Sequence, residues 1–413
     1  MAKQKPPIKP IAKKESGQSA AIEQPTINQA ISSTLEQNLG RWIPAIFAIL
    51  IFVSYFPVWQ NTFVWDDKPY IILNDYVKNF DLKGLLTEYH VGNYHPLTML
   101  SLAIEYALVK EQTWLYHLDN LILHTLNSWL VFKLIQKLNG NFWVSFFTGA
   151  LFAIHPLHVE SVAWAAERKD VLYTIFILLS IWYYIKFDET QDKKWYAVSI
   201  LLFLASCLSK GMAVVLPALL IITDYCFLKK PINAKLFINK IPYFILTFFF
   251  AYMATHAQKD AGADATSVIS QAYTLGERIL MSCYAFCFYW VKTIIPFKLY
   301  AFYPYPGKPN GSLPAIYSGA FLGVLLLVGA ILWFGRKRQT YLVGRSIFLD
   351  FSFYGFAISV SCRKCHCCRP LLLSFFNRTI VFAWFGFQSF LPKKQGGFTS
   401  FCHSYLRFMW AKF

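Results

Sequence analysis

Three uncharged stretches constrain this chain more than any other feature: WIPAIFAILIFVSYFPVW at 42–59, VLYTIFILLSIWYYI at 171–185 and IYSGAFLGVLLLVGAILWF at 316–334. Each approaches the roughly 20 apolar residues that carry a helix across a bilayer. Hydrocarbon offers a backbone amide no partner, so such runs must pair their own N–H and C=O groups, as a helix does. Only 15% of the 413 residues are charged, where an ordinary soluble domain carries about 25%. The expected fold class is therefore all-α, a polytopic helical membrane protein.

The net charge of +17 would suit a nucleic-acid partner, but its distribution argues for a lipid bilayer instead. Basic residues fall in short segments between apolar runs, as the positive-inside rule requires of cytoplasmic loops. The tail 1–41 is polar, rich in Lys and Pro, and without a periodic apolar face, so it is expected to be disordered and cytoplasmic. It is too long and polar for the basic region of a cleaved leader, so the first apolar run is expected to be retained as a span. Spans are then expected near 42–59, 116–136, 142–155, 171–187, 195–208, 212–227, 241–255 and 314–334, about eight in all. Residues 279–300 either dip into the membrane and return or lie along it. Residues 60–115 form a long external loop, whose stretch HPLTMLSLAIEYALV carries Glu105 and reads as a helix on the membrane surface. Reading that stretch as a span would invert everything downstream.

With this topology the unusual polar residues collect outside. The first loop offers the adjacent Asp66 and Asp67, framed by Trp65, Tyr70 and Tyr94, with Asn74 and His95. The second offers His155, His158, Glu160, Glu167, Arg168, Lys169 and Asp170, and the third Ser209 and Lys210. Adjacent carboxylates are either an ordinary solvated turn or a general base beside a group that orients a donor or cation. His155 and His158 with Glu160 either bind a divalent cation or hydrogen-bond within their loop; no Cys joins them and Pro156 interrupts the helix, so no metal is assigned. Arg168 and Lys169 either bind the phosphate of a membrane-held substrate or flank a span. Lys210 either snorkels or faces a lipid phosphate. His117 and His124, seven residues apart, share a helix face and are expected to pack inside the bundle. Cys207, Cys226, Cys283 and Cys287 lie in or beside apolar runs and give no disulfide framework.

In order and spacing, FVWDDKPYIILN, YHPLTMLSLAIEYAL, YHLDNLILHTLNSWLVF, GALFAIHPLHVESVAWAAERKDVL and LSKGMAVVLPALLIITDY carry a family likeness. They resemble the membrane half of the transmembrane and tetratricopeptide-repeat O-mannosyltransferase-like proteins and their bacterial relatives. The resemblance covers residues 45–340, roughly, and no tetratricopeptide period occurs in the chain. It implies a GT-C glycosyltransferase bundle over 42–342, bacterial inner-membrane location, a polyprenyl-phosphate-linked sugar as donor and a protein or glycan hydroxyl as acceptor. Asp66 and Asp67 then match the family's acidic pair, and His155, His158, Glu160, Arg168 and Asp170 its second-loop motif. His95 stands where many relatives carry Arg. On this reading Asp66 takes the proton of the attacking hydroxyl, while Arg168 and Lys210 stabilise the departing phosphate. A divalent cation is the one cofactor left open. A non-catalytic scaffold and a transporter are the alternatives, although transporters often carry inverted repeats, and none is evident here.

After about Arg345 the chain changes character. Cys362, Cys365, Cys367 and Cys368 surround His366, superficially a zinc motif. Back-translated and shifted by one nucleotide, the stretch from Cys362 reads VGNAIVADRYSYLSSIGLLF, which resembles the family's apolar span and its ADRY segment. Residues 343–349 are thus expected to mark a frameshift and 343–413 to carry no evolved site, which adds an inactive, truncated product to the alternatives.

Overall fold

In a computed structural model, the structure describes residues 27–335 apart from 232, 261–271, 301, 302, 304 and 310. The chain divides into two compact units, 1–42 and 43–413. The described part of the first is the beginning of helix α1 (Ile27–Ser54). The helix thus starts well inside the tail expected to be disordered; INQAISSTLEQNLGRW supplies Ala, Leu, Gln and Glu, good helix formers, after Pro25. The residues of the expected frameshifted tail lie outside the described ones.

In the second unit, α1 gives way to a 3-10 turn (Phe56–Gln60), a π turn (Lys68–Ile72) and the short helices α2 (Asp75–Lys78) and α3 (Leu82–Thr87). Asn74 and Asp81 cap α2 and α3 by accepting backbone N–H bonds. Then come α4 (Pro96–Val109), α5 (Thr113–Asn139), α6 (Phe142–Ile154) and α7 (Val159–Ala163). They are followed by α8 (Arg168–Thr190), α9 (Lys193–Ser209), α10 (Leu216–Ile222) and α11 (Ala234–Ile238). The last described helices are α12 (Ile241–Asp260), α13 (Leu275–Ile294) and α14 (Ala315–Gly335). No strand occurs among the described residues. The fold is all-α.

Two reversals follow directly from local sequence. Gly140 ends α5 in the left-handed region (φ 72°), its N–H on the Gln136 carbonyl at 2.8 Å, and Asn141 at once caps α6 through Val144 N–H. Gln191 and Asp192 do the same between α8 and α9. These hairpins lay α5 along α6 and α8 along α9. Between α8 and α9, Ser180 and Ser199 exchange hydroxyl-to-carbonyl bonds of 2.7 Å in both directions, and Tyr243 Oη donates to Ser199 Oγ. Small polar residues at a helix contact, each satisfied by the neighbouring backbone, are what packing in hydrocarbon favours.

Two described helical stretches, Glu36–Ser54 and Ala165–Thr190, are long and apolar enough to cross a bilayer, and a third counts if the bent pair Phe142–Ile154 and Pro156–Ala163 is one span. The other expected spans look different in the structure. The expected 142–155 span is a 13-residue helix, about 20 Å long, that bends by 48° at Pro156. The expected 212–227 span is broken into a 3-10 turn, α10 and a π turn. α5 is long, but its buried face carries His117, Asn120, His124 and Asn127.

That polar stripe explains how the bend survives away from water. Asn120 Nδ2 donates to the carbonyls of Val162 and Trp164, His124 Nε2 contacts that of Ala153, and Asn127 Nδ2 donates to that of Val171. Non-helical backbone at membrane depth is tolerated where protein re-satisfies its polar groups. α5 does so for the turns joining α6, α7 and α8.

Candidate active site

Asp67 ties the first loop to the second. One of its carboxylate oxygens accepts the Val64 N–H (2.9 Å), closing the turn that holds Trp65 at φ 44°, and the other accepts the Ala166 N–H (2.6 Å). Its side chain is buried, and burial raises its carboxyl to about 6 against the pull of these two N–H groups and of Lys169. Asp66 is half-buried. The adjacent pair thus splits into a clasp and a more accessible carboxylate.

Arg168, Lys169 and Asp170 begin α8 directly behind this clasp. Arg168 is buried; its guanidinium meets Glu105 at 2.6 Å, donates to the Tyr116 carbonyl at 2.9 Å, and bonds Asn120 Oδ1 through Nε. Lys169 pairs with Glu167 (2.9 Å) and stands over the Tyr70 ring at 4.9 Å. Lys210, at the end of α9, reaches Glu167 (3.3 Å) and Asp170, while Ser161 Oγ donates to the second Asp170 oxygen (2.9 Å). Two ammonium groups and two carboxylates therefore compensate one another in a buried cluster. An unpartnered charge there would cost several kcal/mol.

His95 stands at the start of α4 behind Tyr70, ring to ring at 5.2 Å. Burial, reinforced by Lys169, His90 and Lys210, holds its imidazole well below its ordinary value, so it is uncharged at neutral pH. A neutral imidazole supplies no counter-charge for a phosphate.

The remaining second-loop residues lie apart from this cluster. His155 Nδ1 accepts the Leu157 N–H, which leaves Nε2 to donate to the Thr293 carbonyl at 3.0 Å. Both ring nitrogens of His155 are thus engaged within the protein. His158 packs between His124 (5.3 Å) and Phe152 (4.4 Å). No group of three or more metal-ligating side chains is gathered among the described residues. Glu160 is half-buried and lines a cavity of about 550 Å³, walled by Trp65 and Trp164 and by Phe288, Lys292, Tyr300 and Tyr303.

The structure therefore brings Asp67, His95, Arg168, Asp170 and Lys210 together and leaves His155 and His158 elsewhere. Arg168 and Lys210, put forward as phosphate ligands, are both occupied by carboxylates. Glu105, on which the expectation of a helix along the membrane surface rests, is buried as the counter-ion of Arg168. Asn120, which links Arg168 to the Val162 and Trp164 carbonyls, is not among the sequence-based candidates. The signal was there: His117, Asn120, His124 and Asn127 recur at helical spacing through an otherwise apolar segment.

A family model described as dolichyl-phosphate-mannose-protein mannosyltransferase matches residues 94–258. Over those residues the chain resembles O-mannosyltransferases. The protein O-mannosyl-transferase TMTC2 of Mus musculus is 37% identical over 99 residues, 24% of this chain and 12% of that protein. Tmtc1 of Drosophila melanogaster is 29% identical over 197 residues, 45% of this chain and 23% of that protein. F38B6.6 of Caenorhabditis elegans, also a protein O-mannosyl-transferase, is 28% identical over 194 residues, 44% and 27%. The chain thus spans about a quarter or less of these relatives. The family match takes in His95 and every second- and third-loop candidate, and stops short of Asp66 and Asp67. Family likeness and membrane-length helices together make it a membrane protein.

Proposed function

We propose that the chain is a GT-C-type membrane glycosyltransferase, moving mannose or another hexose from a polyprenyl-phosphate carrier to a hydroxyl acceptor on the extracytoplasmic side. Its membrane is a bacterial inner membrane, with the N-terminus in the cytoplasm. The observation that carries the reading is the Asp67 to Ala166 hydrogen bond, which joins the acidic turn of loop one to the start of the second-loop motif.

In the reaction, the acceptor oxygen bonds the sugar's C1 as the C1–O bond to phosphate breaks. Asp66 takes the hydroxyl proton, and the electron pair of the broken bond leaves on the phosphate. Asp67 holds Asp66 in place. Arg168, Asp170 and Lys210, their charges already balanced, act as positioning residues that fix the second and third loops against the first, and His95, His155 and His158 shape the surrounding turns. Asp66→Asn lowers transfer from labelled polyprenyl-phosphate sugars by about a hundredfold or more and leaves membrane insertion unchanged. Full transfer by that variant removes the aspartate from the mechanism.

One observation favours a non-catalytic scaffold instead: the buried cations are saturated by protein carboxylates. The same assay separates the two, because a scaffold transfers no sugar with either residue at position 66.

A further inference from the structure

The cavity lined by Trp65, the residue before Asp66, has a composition that the transfer chemistry alone does not require. Its volume, about 550 Å³, lies inside the range of roughly 300–1,000 Å³ in which small-molecule sites fall, and exceeds what one sugar ring fills. Trp65, Trp164, Tyr300 and Tyr303 line it with aromatic surface. Asn61, Glu160 and Lys292 add an amide, a carboxylate and an ammonium group. Flat aromatic faces carry negative charge density that attracts the polarised C–H face of a pyranose. Polar side chains interspersed among them fix the hydroxyls.

Trp65 sharpens the point. It is 61% exposed, although its ring meets Trp164 edge-on at 5.5 Å, and its backbone sits in the left-handed region (φ 44°). A bulky side chain there costs of order 1–3 kcal/mol and persists only where the surroundings enforce it. The enforcing contact is the turn that Asp67 closes onto Val64. The same turn therefore holds the Trp65 indole in the cavity wall, with Asp66 the next residue along the chain.

We infer that this cavity is an oligosaccharide subsite, which holds a neutral acceptor glycan of two or more rings across Trp65 and Trp164. As an acceptor subsite it rests on the transferase reading and narrows the acceptor from any hydroxyl to that of a saccharide.

Equilibrium dialysis of the full chain in detergent against labelled mannotriose, with maltotriose and a Ser/Thr-containing peptide as competitors, tests this. Saturable mannotriose binding is expected, weakened about tenfold or more in both Trp65→Ala and Tyr303→Ala, with no displacement by the peptide. Melting curves identify a variant that fails to fold, and Trp65→Phe, which keeps a smaller face, should bind with intermediate affinity. Absence of saturable binding, unaltered binding in the folded variants, or displacement by the peptide overturns the subsite. Sugar transfer onto peptide without saccharide binding sinks the subsite and leaves the transferase reading intact. Saccharide binding without transfer from any polyprenyl-phosphate sugar keeps the subsite and sinks the transferase.

Discussion

Asp67 has its two carboxylate oxygens on the amides of Val64 and Ala166, in a place that water barely reaches. Burial dominates those bonds and lifts its carboxyl from the ordinary 3.8 to about 6. Between about pH 4 and 6 the folded protein then keeps a proton that the unfolded chain releases. This group's contribution to stability accordingly falls as pH rises through that window and levels off above it. Thermal melts in detergent from pH 4 to 7 should show this slope, at most about 1.4 kcal/mol per pH unit, and Asp67→Asn should lack it. Identical slopes in the two proteins would assign the titration to another group. Arg168 illustrates the opposite balance. Its guanidinium is as deeply buried, and Glu105, Asn120 and the Tyr116 carbonyl supply the compensation that water cannot.

The helices approach one another where side chains are small or mutually satisfied. A Cβ on Gly149 of α6 would lie 2.7 Å from Phe47 Cζ and 3.2 Å from Phe132 Cβ, and both rings are buried. Phe47 and Phe132 also meet edge to face at 6.4 Å, so neither has free space to retreat into. Gly149→Leu should therefore lower unfolding stability by about 1–3 kcal/mol, the usual cost of overpacking, with Gly149→Ala less affected. Chemical denaturation in detergent measures both, and a Leu variant as stable as the parent would mean that α6 moves freely against its neighbours. The Ser180–Ser199 pair serves α8 and α9 in the same way, with hydrogen bonds added to the close approach.

Across the whole molecule, α8 joins two polar networks. At its start lie Glu167, Lys169, Asp170 and Lys210. Near its end, Asp188 pairs with Lys230, and Asp224 is held by Lys230, Lys240 and the Tyr184 hydroxyl. With 23 residues, α8 is about 34 Å long, enough to cross a hydrocarbon core of about 30 Å. The networks should face opposite sides of the membrane. Cys substituted for the exposed Lys68, and separately for Thr190, should react with a membrane-impermeant maleimide from opposite faces of oriented vesicles. Labelling of both from one face would overturn the orientation and, with it, the placement of the proposed reaction.

Much of this was legible in the chain. The apolar runs announced helices in a membrane, because unpaired backbone in hydrocarbon leaves no alternative, and the Gly140–Asn141 and Gln191–Asp192 reversals are written in local capping chemistry. The ordered motifs led to the family likeness, and the acidic pair, Arg168, Asp170 and Lys210 stood out as charges at the ends of apolar segments. Which of these charges face one another was decided only in three dimensions. The support that α5 gives the bend at Pro156, the pairing of Arg168 with Glu105 and the division of labour between Asp66 and Asp67 each depend on residues tens of positions apart. Burial cost and counter-ion geometry belong to the packed arrangement, and a local pattern along the chain records neither.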